Sequence, residues 1–276
     1  MRKLLFVSIF AIQALTGFSQ SYDYLKPHNN KGKIFISWGW NQSGYTHSDI
    51  RFKGNDYDFK LKSVIAKDRQ TPFTLRYLNP SKMTIPQYNF RIGYFINSKY
   101  SISFGFDHMK YVMQQDQTVN ISGHIAGSGT DYDGTYNNEP IKLTGDFLKF
   151  EHTNGLNYLN LELRRMDNLF DQRSLKIKNI DINLIQGVGI GLLYPKSDVT
   201  LLNYERNDQW HVAGYGANLV AGLNVTFFKH FFIQGEMKGG YINMPDILTT
   251  HFVDDRASQH FFFAQGNVNF GVIFKL

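Results

Sequence analysis

The chain has 276 residues, a formal net charge of +6 and no cysteine, so disulfides and a lipid-modified N-terminal cysteine are both excluded. Its mean hydropathy is −0.32, and no segment after the N-terminus offers the roughly 18 consecutive apolar residues of a membrane-spanning helix. Aromatic residues nevertheless make up 16% of the chain, with 24 Phe and 16 Tyr beside 24 Gly. This composition favours strands.

Residues 1–19 have the features of a signal peptide. Arg2 and Lys3 give a positive start, Leu4 to Leu15 are apolar, and Gly17-Phe18-Ser19 offers a small-residue cleavage site. The apolar stretch is shorter than the roughly 20 residues that cross hydrocarbon, so we expect cleavage rather than anchoring. Residues 20–276 then form a single domain, since no linker, charge run or solenoid repeat divides them.

Eight segments of the chain alternate between apolar residues and polar or glycine residues. They cover residues 34–41, 87–96, 101–107, 158–164, 180–194, 216–227, 231–241 and 262–276. In the second segment, for example, Phe90, Ile92 and Tyr94 alternate with Arg91 and Gly93. This period of two predicts strands with one side towards lipid and the other towards an enclosed lumen.

The connections between these segments alternate in length. Residues 97–99 and 228–230 make short turns, whereas residues 42–86 and 108–157 make long loops. Short periplasmic turns and longer external loops are typical of outer-membrane barrels, and an even strand number returns both termini to the periplasm. The long loops also alternate, which predicts projecting hairpins that turn near Gly54-Asn55 and near residues 127–134. The connection at residues 165–178 is predicted to be unusually long.

A soluble lipocalin-like barrel or β-sandwich is the alternative interpretation. Such a fold would enclose the apolar side of each strand, and the other side would be a water-facing surface rich in Lys and Glu. Here that other side consists of Gly, Asn, Ser and a few charges. The sequence therefore favours an all-β, transmembrane, antiparallel up-and-down barrel of about eight strands with extended external hairpins.

The signal peptide, the eight segments and the alternating connections together resemble the small outer-membrane barrels of the OmpA, OmpX, OmpW and PagP type. The final Phe270, Val272, Phe274 and Leu276 are similar to the C-terminal signal that the barrel assembly machinery reads. The resemblance implies an outer-membrane location, contact with outer-membrane lipid and lipopolysaccharide, and the assembly machinery as a partner during insertion. It leaves the role open, because such barrels include adhesins, small-solute channels and lipid A-modifying enzymes.

Charged residues of both signs lie on the predicted lumen side. They are Arg91, Arg164, Lys238 and Lys275, and Asp107, Glu162, Asp181 and Glu236. An eight-stranded barrel is just wide enough to be filled by side chains, so we expect these charges to pair and close the lumen. A narrow, porin-like channel for small solutes is the alternative.

A candidate catalytic pair precedes the last strand segment. Ser258 and His260 lie two residues apart and so share a face of a strand, with Asp254 or Asp255 near enough in sequence to orient the imidazole. The pair resembles the Ser and His of lipid A deacylases of the PagL type, although there His precedes Ser. A hydrolase or acyltransferase acting on lipid A or phospholipid, with Ser258, His260 and Asp255, is the alternative function.

The other polar residues indicate no cofactor or metal. His47, His108, His152, His211, His251 and His260 fall at or beyond the external strand ends, but without a metal-binding spacing. The basic first loop could meet lipopolysaccharide phosphates or pair with the acidic second loop. We expect a non-enzymatic structural, envelope-organising or surface-interaction role, with an envelope protein as a further partner and no nucleic acid.

Overall fold

The computed structural model describes residues 29–70, 87–170, 179–207 and 209–275. Within these ranges, no helix is long and apolar enough to cross a membrane. The predicted signal peptide, residues 1–19, lies outside the described residues. The strands are β1 (Lys33–Tyr45), β2 (Ser48–Lys53), β3 (Tyr57–Val64), β4 (Ala66–Lys67), β5 (Tyr88–Phe95), β6 (Tyr100–Asp107), β7 (Tyr111–Met113), β8 (Thr118–Ile125), β9 (Gly134–Lys142), β10 (Leu148–His152), β11 (Tyr158–Phe170), β12 (Ile180–Leu193), β13 (Asp198–Leu201), β14 (Tyr204–Asn207), β15 (Gly214–Phe227), β16 (Phe231–Leu248) and β17 (Arg256–Lys275).

Eight of these strands close into a barrel. Their order around the ring is β1, β5, β6, β11, β12, β15, β16 and β17, and each pairs antiparallel with the next. The ring closes because β1 pairs with β17 from Lys33 opposite Lys275 to Tyr45 opposite Phe263. Closure satisfies the backbone groups that an open edge strand would leave unpaired.

The predicted apolar residues face outwards from this ring. Ile190 on β12 and Leu219 on β15 are 68% and 65% exposed, for example. The residues directly before and after each of them face the interior. Aromatic side chains lie near the two ends of the apolar belt, as with Tyr241 against Phe262 at one end and Phe231 opposite Phe227 at the other. The predicted antiparallel up-and-down barrel is confirmed. The soluble alternative is wrong for this ring, because it required the apolar side to be enclosed.

One connection is shorter than predicted. The chain that follows Arg164 stays in β11 as far as Phe170 and pairs with β12 from Arg165 opposite Gln186 to Phe170 opposite Ile182. The alternation of residue types fades after Arg164, although the backbone pairing continues. Strand length here is therefore determined by hydrogen bonding to β12 rather than by a lipid-facing pattern.

Above one end of the ring, the barrel wall continues into a folded cap. The start of β17 pairs with β2, and the sheet goes on through β3, β8 and β9. The two predicted hairpins are confirmed as β2–β3 and β8–β9, with turns at residues 54–56 and 126–133. A second sheet, which the sequence did not predict, has the order β14-β13-β10-β7-β4.

The main hydrophobic core of the protein lies in this cap, and it includes buried side chains from both sheets. Phe52 stacks on Phe59 with ring centroids 5.2 Å apart, and Phe150 meets Phe52 edge to face at 5.7 Å. Each such side chain contributes roughly 1.5–3 kcal/mol when it leaves water. The core extends into the barrel mouth through Tyr158 and Phe263, so the cap is a packed body and covers the ring.

Candidate functional site

The lumen at mid-height contains a network of buried ion pairs. Arg91, Arg164 and Lys238 meet Asp107, Glu162 and Glu236. Three cations against three carboxylates leave this group neutral, which suits a site with side-chain exposures of 6% or less. The six residues come from β5, β6, β11 and β16, so the register of the closed ring brings them together.

Hydrogen bonds occupy the remaining groups of this network. Arg91 Nη2 donates to Asn160 Oδ1 at 2.7 Å, and Asn160 Nδ2 donates to Asp107 Oδ2 at 2.9 Å. Asn218 Nδ2 donates to Glu162 Oε1 at 3.0 Å, and the Tyr158 hydroxyl donates to Asn218 Oδ1 at 3.0 Å. The cap core therefore contacts the ion pairs through Tyr158 and one amide.

Inward glycines give these large charged groups their space. A Cβ on Gly105 would collide with the Arg91 guanidinium, and a Cβ on Gly189 would lie 2.5 Å from Glu162 Cγ and 2.7 Å from Asn218 Oδ1. Each of these two inward glycines therefore leaves the space that a specific large side chain occupies. They let a narrow ring contain arginines without expansion.

An apolar plug closes the lumen at the end away from the cap. Phe35, Phe95, Phe232 and Ile273 form a buried cluster, and Met166 packs against it. The space between this plug and the ion pairs has a volume of about 20 Å³, which is room for about one water molecule. The described side chains therefore block the lumen at its middle, through the ion pairs, and at the end away from the cap, through the apolar plug.

Two of the predicted lumen charges lie outside the six-residue network. Asp181 is buried on β12 opposite Thr226, nearer the apolar plug. Lys275 is exposed at the rim away from the cap, so its predicted lumen pairing is wrong. The physical reason is that β17 runs past the plug, whose last residue on this strand is Ile273, and an ammonium at the rim stays in water.

The structure has Ser258 and His260 on the same, outer side of β17, as predicted, but it sets Asp255 apart from them. Ser258 is half-buried and His260 is exposed on the outer face of β17, and no hydrogen bond joins them in the described part of the chain. Asp255 is 4% exposed and its Oδ2 accepts a hydrogen bond from Thr250 Oγ1 at 2.5 Å. Asp255 therefore does not orient His260: successive strand residues face opposite sides, and position 255 has the inward parity.

Gln259, for which the sequence predicted no role, contacts two other buried polar side chains inside the cap. Its Nε2 lies 3.4 Å from His152 Nε2, and its Oε1 accepts from Ser48 Oγ at 3.2 Å. Ser197 Oγ lies 3.0 Å from His152 Nδ1. Burial lowers the pKa of His152 to about 3, so the imidazole is neutral inside the cap at ordinary pH. A buried polar chain thus crosses the apolar core.

The charges on the outer face of the cap sheet pair mainly within the first loop. Arg51 Nη2 lies 2.6 Å from Asp58 Oδ2, and Lys60 Nζ lies 2.7 Å from Asp49 Oδ2. Hydrogen bonding to Arg51 lowers the pKa of Asp58. Between the loops, Arg69 reaches Glu151 at 3.4 Å. The described residues bring no group of three His, Cys, Asp or Glu side chains into metal-binding geometry.

No protein-family model matches this chain, and no curated protein matches it. Among solved structures it is similar to the outer membrane protein OprG from Pseudomonas aeruginosa, at 9% identity and a TM-score of 0.41, over 91% of this chain and 100% of that one.

It is also similar to Ail, the attachment invasion locus protein of Yersinia pestis, at 10% identity and a TM-score of 0.32, over 88% of this chain and 99% of that one. For Neisserial surface protein A the values are 9% identity, a TM-score of 0.33, and 89% and 98% coverage. These likenesses concern the fold alone. The architectural resemblance that the sequence indicated is confirmed by the chain's own geometry, because a closed ring of eight antiparallel strands with an outward apolar belt is the arrangement of the small outer-membrane barrels.

Proposed function

We propose that this protein is a closed outer-membrane barrel that presents its folded cap at the cell surface for interaction with other envelope or external molecules. The observation that carries the proposal is the cap itself, which has a core of fully buried aromatic residues above a lumen crossed by ion pairs. A rigid, packed body outside the membrane is suited to recognition, since binding sites on ordered scaffolds lose little conformational entropy.

The geometry gives less support to the two alternative functions. A channel needs a continuous polar path, whereas here the Phe35 cluster closes the described lumen at the end away from the cap and ion pairs cross its middle. A hydrolase needs a base in contact with its nucleophile, whereas Ser258 and His260 make no hydrogen bond to each other in the described ranges and Asp255 faces the cap interior.

Outer-membrane lipid, lipopolysaccharide and the barrel assembly machinery are the partners that we propose for the barrel wall. The wall supports this proposal through its outward apolar belt and its aromatic ends. For the cap, an envelope protein partner follows from the surface role. Gentle-detergent purification from native membranes, followed by mass spectrometry of the co-purifying lipids and proteins, identifies these partners.

The orientation of the barrel can be tested with single cysteines, because the chain contains none. Lys62→Cys lies on the exposed face of the cap, and Ser98→Cys lies in the short turn between β5 and β6. On intact cells, we expect a membrane-impermeant maleimide to label Lys62→Cys but not Ser98→Cys. Permeabilising the outer membrane should then expose Ser98→Cys.

The reverse labelling pattern, or recovery of the protein in the aqueous fraction without detergent, would contradict the proposal. A separate conductance measurement tests whether the lumen is closed. In planar bilayers we expect the purified protein to give no unit currents, and reproducible conductance steps would reinstate the channel.

A further inference from the structure

A small pocket lies at the far end of the cap, where the β2–β3 and β8–β9 turns meet β14 and the chain between β16 and β17. Its walls are acidic and aromatic, and they include Asp56, Tyr57, Ser128, Tyr204, Phe252 and Asp255. Its volume is about 90 Å³, whereas a cavity that binds benzene has about 150 Å³. This tip pocket therefore suits a group of a few heavy atoms and is too small for a nucleotide.

The tip pocket has negative charge without a matching cation. Asp255 is 4% exposed, and the neighbouring Arg256 donates from Nε to the Asp246 carboxylate at 2.8 Å and from Nη1 to the Asp255 backbone carbonyl at 3.0 Å, not to the Asp255 carboxylate. No ion pair reaches Asp56 or Asp255 from any residue in the described ranges. A buried carboxylate without a positive partner is unfavourable, so the pocket favours a cationic ligand.

The aromatic walls suit the same kind of ligand. Tyr204 and Phe252 meet edge to face, with ring centroids 5.6 Å apart and an interplanar angle of 88°. Tyr57 is 4% exposed. Thr249 and Asp255 lie near its hydroxyl, but among the described residues no partner has the distance and angle of a hydrogen bond to it. Burial and the Asp255 charge raise the pKa of Tyr57, so it remains a neutral phenol. Ring faces attract cations through the aromatic quadrupole.

We propose that the tip pocket binds an alkylammonium group, with Asp56 and Asp255 supplying the negative charge and Tyr57, Tyr204 and Phe252 supplying the ring faces. This inference rests on the proposed function, because the pocket meets external ligands only if the cap is displayed. Calcium fits less well, since it takes about six to eight oxygen ligands and much of this wall is aromatic.

The test is calorimetric titration of the full chain, refolded in detergent, with n-butylammonium chloride at constant ionic strength. We expect a dissociation constant on the order of 1 mM, as for a good ligand of few heavy atoms. Titration with 1-butanol, which has the same number of heavy atoms and no charge, should give no measurable binding. Equal binding of the alcohol would overturn the proposal.

Single substitutions test whether n-butylammonium binds in the tip pocket. Asp255→Asn should weaken n-butylammonium binding about tenfold by removing the charge, and Phe252→Leu should weaken it about threefold by removing a ring face. Asp254→Asn is the matched control, because Asp254 is exposed and does not line the pocket. Thermal melts check that each variant is folded. Undiminished binding in folded Phe252→Leu and Asp255→Asn would overturn the assignment to this pocket.

Further titrations decide which kind of molecule supplies the ammonium group and whether the pocket binds calcium instead. Binding of Nα-acetyl-lysine amide, lost on Nε-acetylation, would identify a lysine side chain as the source, whereas binding of n-butylammonium alone would identify a free amine. Binding of CaCl₂ that depends on Asp255, without any binding of n-butylammonium, would replace the proposal with a metal site. These titrations use purified protein, so their failure is distinct from a failure of the surface labelling of Lys62→Cys.

Discussion

At the scale of single residues, Glu162 is the centre of the lumen network. Its carboxylate accepts from Arg91 Nη2 at 3.0 Å and from Arg164 Nε at 2.6 Å, and Lys238 Nζ lies 2.9 Å away. Glu162→Gln would leave buried cations in excess, so we expect the free energy of unfolding to fall by about 3–5 kcal/mol. Urea titration of the protein in lipid vesicles measures this loss.

The control for this substitution is Asp167→Asn. Asp167 Oδ2 pairs with Arg165 Nε at 2.6 Å and Asp167 Oδ1 lies 3.4 Å from Lys99 Nζ, but Asp167 is 20% exposed and both cations are 37% exposed. Solvent-exposed pairs contribute about 0–1 kcal/mol, so we expect a small change. If Glu162→Gln proved no more destabilising than Asp167→Asn, the network would not be what stabilises the lumen.

At the scale of the element, β12 shows why the lumen side of a strand needs glycine. Gly189→Ala would place its Cβ against Glu162 and Asn218, and overpacking of this kind costs about 1–3 kcal/mol. Gly235→Ala on β16 is the matched control, since its Cβ would point outwards with no atom within 4 Å. We expect a lower urea midpoint for Gly189→Ala and an unchanged one for Gly235→Ala. Equal midpoints would mean that the wall of β12 shifts to accommodate the methyl group.

At the scale of the whole molecule, the cap and the barrel have different kinds of interior, and low pH should distinguish them. His152 is fully buried among apolar cap residues, with its pKa lowered to about 3 from the ordinary 6.5. The unfolded cap binds a proton below pH 6.5 while the folded cap does not, so stability is complete above pH 6.5 and falls as the pH decreases towards 3. At about 1.4 kcal/mol per pH unit, we expect a loss of about 2 kcal/mol at pH 5.

Proteolysis of the cap at pH 7 and pH 5 measures this effect, and the heat-dependent mobility of the barrel on gels reports whether the ring remains closed. In the His152→Gln variant, the part of the increase in cap cleavage at pH 5 that comes from His152 should be absent. The His47→Gln variant is the control, because His47 is exposed, and its cap should remain as sensitive to acid as the wild type. Cleavage of the wild-type cap at equal rates at both pH values would contradict a neutral, buried His152.

The alternation of residue types along the chain was enough to predict the eight strands of the ring and the side that each residue faces. This was possible because the strand period of two makes the direction of a side chain a local property. Six of the eight predicted lumen charges meet in one network for the same reason. The two hairpins of the cap were also evident, since each is closed by a glycine-containing turn.

Which charges pair, and how the cap is built, depends on contacts between residues that are far apart in the chain. Lys238 and Asp107 are 131 residues apart, and they meet because the ring closes in one register. The second cap sheet contains strands as short as Ala66–Lys67, whose partners lie far along the chain. Such strands are too short for periodicity to reveal, and the packing of aromatic residues between two sheets stabilises them. The tip pocket arises in the same way, from four separate connections that meet only when the cap folds.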